Sequence, residues 1–477
     1  MQLSILSSYM HQIINIGLRF IMIPIYVGAF GLGSYGLIGF YISMSSLLVL
    51  LDFGMGYASL KLLSESSQDT LSSDVAVLRL IEKIYLGCTF LIGFVIYFLS
   101  NAIAENWLTV DARGVDATAT IQLMAFLLLV SWPQSLYQSF LMGQQKFVPM
   151  NVVMIVVNIS VTMLMFIGLT NFDLSVDYYF AVMIAAMALQ TIVLRLLAWG
   201  DLRGVPEQSV MKNDVVRFFS YAAGVSVFSL CSLGFFQGPL LALSSLSTTS
   251  ELGLYNLAMT FPMAFITLMY PLGSVFLPKL VEIAGNEDAR DKFERAVFIM
   301  ASFMVAGTAT LLLNMDWIYL FWVGDEAVLS KIVGVSSSLA LGTLFYGFTM
   351  IFNNVLLINA KSNRLASAYV VALLWLCSCI YLFNEPFNAQ TIADLWKDVS
   401  FILMCGVLFI GLVSFPSLFK AWFKSILSAL SLGFLGVSII VIVSTYSTQD
   451  SFILLVSTVL VFAILYIPKT YKIVRAL

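Results

Sequence analysis

The sequence predicts an all-α, polytopic membrane protein of about fourteen transmembrane helices, arranged as two pseudo-symmetric six-helix lobes plus two C-terminal helices. Three observations predict this. Hydrophobic residues make up 60% of the 477 residues and charged residues only 10%, with a mean hydropathy of +0.98; an average soluble domain is about 25% charged. The apolar runs are of spanning length, about 20 residues each. The first half of the chain is echoed by the second at a nearly constant offset.

Taken in order, the first lobe (residues 1–200) holds apolar runs near 5–30, 36–63, 84–104, 118–142, 147–170 and 178–200, separated by charged or Gly/Pro/Asn-rich breaks. A tight turn near Gly33 joins the first two. The stretch "GDLRGVPEQSVMKND" at 200–214 is polar and proline-containing, and reads as a cytoplasmic linker over 201–214. The second lobe (215–416) holds runs near 218–246, 252–278, 296–315, 332–358, 365–384 and 399–416. Residues 417–477 add runs at 425–446 and 451–468. The N-terminus reads as no cleaved signal peptide, because no Lys or Arg precedes the apolar stretch and Arg19 interrupts it.

Charge orients these spans. With the N-terminus in the cytoplasm, nineteen of the 23 Lys and Arg residues fall on the cytoplasmic side. Only Arg113, Lys331 and Lys397 fall outside, and Arg19 lies within a span. A miscounted span would scramble the alternation from that point onward, so both termini are expected to be cytoplasmic. The loops are all short and leave no room for a folded catalytic domain. No GxxxxGK[ST] loop, His/Cys/Asp cluster or nucleophile–base pairing is present. No catalytic residue, metal, cofactor or nucleic-acid partner is therefore expected. Cys88, Cys231, Cys377, Cys379 and Cys405 sit in apolar runs and read as small apolar fillers.

The repeat is visible in paired motifs. "GSYGLIGFY" from Gly33 opens the second span, and "SELGLYNLAM" from Ser250 opens the eighth, so that Gly36 aligns with Gly253. "GYASLKLLSE" from Gly56 matches "GSVFLPKLVE" from Gly273, and "FLMGQQKFVPMN" from Phe140 faces "LLINAKSNRLAS" from Leu356. Six spans per half is an even number, so both halves start on the same side. Their relating axis should run along the membrane normal and leave a cleft between lobes.

The Gly33–Leu37 turn with "LLDFGMG" after it, "LMGQQKFVPMN", and "DWIYLFWVGDEA" from Asp316 carry a resemblance. Over residues 1–416 the chain resembles Wzx-type O-antigen flippases of the multidrug/oligosaccharidyl-lipid/polysaccharide (MOP) exporter superfamily. The last two spans depart from the commoner twelve-helix plan and look like the arrangement of lipid II flippases. The resemblance implies a carrier of a polyprenyl-diphosphate-linked oligosaccharide in the bacterial inner membrane. It also implies cavity arginines on the first helices that grip the diphosphate, and glycosyltransferases and a polymerase as pathway partners. A monomer is expected, with membrane lipids around it.

A guanidinium in a bilayer costs roughly 2.5 kcal/mol or more by insertion scales, so Arg19 needs a reason. Ser8, His11, Gln12, Asn15, Arg19 and Tyr26 form one stripe at helical spacing. Tyr41, Ser45, Asp52 and Ser59 line the second span. Counted at about 1.5 Å per residue, Arg19 and Asp52 both lie roughly 15 Å from the cytoplasmic end. Two readings stay open. Asp52 neutralises Arg19 and pins a hairpin, or the stripe faces water and Arg19 meets an anionic substrate, with Asp52 exchanging for it when the site is empty. Gln134 and Gln138 in the fourth span, and Asn353 and Asn354 in the tenth, are candidates for sugar hydroxyls or for interhelical hydrogen bonds. His11, the single histidine, reads as a proton relay or a merely solvated group. Rival functions are a cation-coupled multidrug exporter or lipid II flippase of the same superfamily, or, in another class, a membrane scaffold or glycosyltransferase of glycan assembly.

Overall fold

The computed structural model describes residues 2–52, 54–67, 70–112, 114–206, 212–281, 287–358, 362–382, 387–446 and 451–475. Among them are seventeen α-helices and no strand beyond one isolated bridge, Thr109 to Thr248. Eleven stretches are long and apolar enough to cross a membrane. The first of these is two helices in one, and two shorter apolar helices, Leu230–Leu246 and Leu454–Thr470, stand where the seventh and fourteenth spans are expected. The all-α, polytopic class is therefore what the chain adopts.

Two compact units divide the chain, Met1–Gly253 and Leu254–Leu477. The first begins with α1 (Gln2–Leu51), which runs through a reversal at Gly31. That residue has φ 74° and ψ 166°, open to glycine and closed to residues with a Cβ. Then come α2 (Met55–Glu65), α3 (Leu71–Phe98), α4 (Ser100–Asn106), α5 (Ala117–Ser131), α6 (Pro133–Gly143), α7 (Phe147–Asn171), α8 (Val176–Gly200) and α9 (Lys212–Leu246). Helix α9 packs on α1, α2 and α3, so the seventh expected span travels with the first unit. Helix α10 (Thr249–Val281) begins at the boundary. The second unit continues with α11 (Glu287–Leu313), α12 (Met315–Val323), α13 (Glu326–Ile358), α14 (Ser362–Leu382), α15 (Ala389–Ser414), α16 (Pro416–Tyr446) and α17 (Ser451–Arg475).

Three expected boundaries move. The second span is not one helix over 36–63: it breaks after Leu51, and α2 restarts at Met55 behind Gly54, whose φ is 74°. Helix α3 reaches back to Leu71 and takes in Arg79, Glu82 and Lys83, while α15 reaches back to Ala389 and takes in Asp394 and Lys397. Both extensions are tolerated because charges on them have partners. Glu82 accepts three hydrogen bonds, and Lys397 pairs with Asp394 at 2.8 Å.

In hydrocarbon, helices gain little from hiding apolar side chains and associate through close packing and interhelical hydrogen bonds. Large apolar residues such as Phe90, Phe94, Met163 and Ile167 accordingly stay exposed on outer faces. The tightest approach joins the two positions that the repeat equates. A Cβ on Gly36 would collide with the carbonyl oxygen of Thr249, and one on Gly253 with that of Leu32. Beside this contact Asp111 accepts hydrogen bonds from the Thr249 hydroxyl (2.8 Å) and the Ser250 N–H (2.9 Å). Partial burial pushes the Asp111 carboxyl upward, but these hydrogen bonds outweigh it and hold it below the ordinary aspartate range.

The "FLMGQQKFVPMN" motif is structural glue. Gly143 lets α6 lie against the Leu60 carbonyl and Leu63 of α2. Gln144 donates to the Ala198 carbonyl at 2.8 Å, Lys146 pairs with Asp201 at 2.7 Å, and Asn151 reaches the Ser7 and Ser8 hydroxyls of α1.

Candidate functional site

The first limb of α1 presents two exposed faces. At about 100° per residue, Leu6, Met10, Ile13 and Ile21 project together, all exposed. On the opposite side lie Gln12 and Arg19, also exposed, with half-buried Ser8, His11, Asn15 and Tyr26 among them. Val27, between the two faces, is buried, and so is Met22, which lies on the polar side between His11 and Asn15. This limb of α1 thus carries an apolar exposed face and a polar face with exposed members, back to back.

Arg19 makes no hydrogen bond or ion pair among the described residues. Its charge is felt at His11, Tyr35 and Tyr179. Tyr179 stacks edge-on against Tyr26, with ring centroids 5.4 Å apart, so an aromatic wall stands beside the guanidinium. The imidazole Nε2 of His11 is enclosed with no partner.

No ion pair joins Asp52 to Arg19 among the described residues. Asp52 sits at the break between α1 and α2, where its Oδ2 accepts the Gly56 N–H at 3.1 Å and caps the restarted helix. The Tyr85 hydroxyl of α3, bonded to Ser135 at 2.6 Å, stands next to the carboxylate. One carboxylate oxygen, Oδ1, is enclosed and unpartnered. The continuous face expected for Tyr41, Ser45, Asp52 and Ser59 is lost for the same reason, because the break puts Ser59 on a different helix.

The two amide pairs behave alike. Gln134 is buried, receives Gln190 on its oxygen at 2.8 Å, and donates to the Met187 carbonyl at 3.1 Å. Its neighbour one turn on, Gln138, is half-buried and makes no hydrogen bond among the described residues. Asn353 is buried and donates to the Tyr369 hydroxyl at 3.2 Å, while Asn354 is half-buried and unbonded among the described residues. One amide of each pair thus holds helices together, and the other keeps its polar atoms available.

Sequence reasoning missed a charged hub. Glu82, 7% exposed, accepts from the Tyr137 hydroxyl (2.8 Å), Arg195 Nε (2.8 Å) and Trp199 Nε1 (3.1 Å). Arg79 lies over the Trp199 ring at 6.0 Å. Glu82 and Arg195 looked like cytoplasmic charge at the ends of spans; the signal was an arginine inside the run 178–200 with a tryptophan one turn beyond it.

Residues 3–284 match the model of a family described as polysaccharide biosynthesis protein, Polysacc_synt. No curated protein matches the chain. Among solved structures, the chain is similar to lipid II flippase MurJ in an inward closed conformation. The TM-score is 0.74 at 15% identity, covering 99% of this chain and all of that one. It is also similar to an inward-facing multidrug resistance MATE family transporter of the MOP superfamily (TM-score 0.63, 12% identity, 86% of this chain and 96% of that one). A MOP superfamily transporter from Pyrococcus furiosus Vc1 follows at 0.58 and 12%, covering 88% and 96%. Likeness at such identities is likeness of fold, and the fold is that of MOP transporters.

Proposed function

Because the chain belongs to the polysaccharide biosynthesis protein family, we propose that it is a flippase for a polyprenyl-diphosphate-linked O-antigen or polysaccharide repeat unit. It moves this lipid across the bacterial cytoplasmic membrane by alternating access, with both termini cytoplasmic. Glycosyltransferases supply the lipid-linked glycan on one side and a polymerase consumes it on the other.

The observation that carries the reading is Arg19, exposed and without an ion pair among the described residues, on the polar face of a helix whose opposite face is apolar. A planar, permanently charged fork suits a diphosphate, which offers it oxygens in pairs. His11 and Asn15, on the same face, add donors beside it. Gln138, in the same unit, supplies an amide for sugar hydroxyls. The substrate's polyprenyl tail needs no polar path and stays in lipid.

The test is surface polysaccharide in cells that depend on this protein. A hydrogen bond to a charged group is worth roughly 1.5–3 kcal/mol, so Arg19→Ala should lower export about tenfold or more. Arg19→Lys, which keeps charge without the fork, should retain part of it. Wild-type export by the alanine variant at normal expression would reject the assignment.

A second reading, transport of lipid II, draws on the end-to-end likeness to MurJ. Restoring growth to cells depleted of their lipid II flippase would favour it over the polysaccharide substrate.

A further inference from the structure

In the second unit, a cleft of about 410 Å³ opens where the start of α11, the start of α16 and the end of α17 meet. It holds three cationic side chains, Arg295, Lys424 and Lys469, against two carboxylates, Asp291 and Glu294. Lys424 is already matched, with Nζ 2.7 Å from Glu294 Oε1. Lys469 is held differently. Its ammonium lies 2.7 Å from the Ser428 hydroxyl and 4.4 Å from the centroid of the Phe298 ring. Both partners are neutral, and among the described residues no carboxylate pairs with it.

The surroundings of the cleft are equally specific. Along α16, Leu427, Phe434 and Leu435 are exposed; along α17, Leu460, Ile464 and Ile467 are exposed. The two helices pack on each other and on α11, with Gly436 admitting the Phe462 ring. Leu427, Phe434 and Leu435 project to the same side of α16 as Lys424, so a polar notch ends an apolar strip on that helix. The helix ends that form the notch carry Arg290, Lys420, Lys424 and Lys469, the bias that marks the cytoplasmic side. Basic pockets between transmembrane helices on that side suit lipid headgroups.

We infer that this cleft binds the headgroup of an anionic membrane phospholipid, with Lys469 and Ser428 holding the phosphodiester and the acyl chains lying along α16. The balance of charge selects the occupant. With Glu294 matched by Lys424, and Asp291 and Arg295 of equal and opposite charge, Lys469 leaves the cleft lining with one net positive charge, which suits a singly charged phosphodiester and not a diphosphate. The cleft is built wholly from residues of the second unit, whereas Arg19 belongs to the first.

Native mass spectrometry of the purified full-length protein, given equal phosphatidylglycerol and phosphatidylcholine, tests it. The wild-type chain should retain phosphatidylglycerol preferentially. Lys469→Gln should reduce that preference about fivefold, the share expected of one basic residue near a lipid surface, and Lys469→Arg should restore it. Ser428→Ala should weaken it without changing its sign, and Arg19→Ala should leave it untouched. Thermal unfolding of each variant, run alongside, shows that it is folded. Equal retention of the two lipids by the wild type, or a preference unchanged in folded Lys469→Gln, overturns the proposal. Complete displacement of phosphatidylglycerol by millimolar inorganic phosphate also overturns it, by making the cleft a site for free anions.

Discussion

Two arginines lie inside apolar helices of the same unit, and they are treated in opposite ways. Arg195 of α8 reaches Glu82 at 2.8 Å, and the carboxylate is steadied by Tyr137 and Trp199. Arg19 of α1 pairs with no carboxylate among the described residues, although Asp52 directly follows the end of the same helix. Intramembrane charges that serve the fold find partners, because an uncompensated ion is costly there. The fold supplies such a partner for Arg195, spends Asp52 on a helix cap, and leaves Arg19 open. Arg19 is therefore the residue on which the proposed diphosphate contact rests.

Breaking the paired member should give the largest effect on stability. Truncating one side of a buried ion pair costs about 3–5 kcal/mol. With Arg195 half in solvent, Glu82→Ala should lie near the bottom of that range, on the order of 3 kcal/mol. Arg195→Ala should cost less, since Glu82 keeps its hydroxyl and indole donors. Thermal unfolding in detergent reads both. The contrast sharpens if Arg19→Ala unfolds at the wild-type temperature while losing export; it collapses if Arg19→Ala is as unstable as Glu82→Ala.

The amide pairs repeat the comparison on a smaller scale. Gln134→Ala leaves Gln190 buried without its acceptor, a loss of about 1–3 kcal/mol. Gln138→Ala removes no hydrogen bond among the described residues, so it should be thermally silent and alter only export. Equal melting temperatures for the two variants would abolish the distinction between binding and holding amides.

The smallest effect is expected at Asp52. Asp52→Ala removes a helix cap worth about 1 kcal/mol, and Asp52→Asn, which can still accept from Gly56, should cost a few tenths of that. Loss of export in a stable Asp52→Asn variant would show that the carboxylate charge serves transport after all, and would return it to the neighbourhood of Arg19.

How far the sequence could be read follows from which interactions are local. Hydropathy and helical spacing are properties of contiguous residues, so the helical class, most spans and the stripe Ser8, His11, Asn15, Arg19 were readable without coordinates. The break at Asp52–Gly54 was partly visible as "LDFGMG", but an apolar run conceals a discontinuity when hydrophobicity alone is scored. The Glu82 hub was hidden because its members are more than fifty residues apart in the chain. Nothing local distinguishes Gln134 from Gln138, or Asn353 from Asn354; only the neighbouring helix decides which amide is used up.

The sequence by itself determined that this chain lives in a bilayer, is built as a repeat, and carries a lone cation deep in its first helix. The tertiary structure decided that the cation has no ion-pair partner among the described residues, and that the repeat-related Gly36 and Gly253 touch each other. The physical reason is range. Hydrophobicity acts residue by residue along the chain, whereas a salt bridge or a glycine contact exists only when distant segments come within a few ångströms.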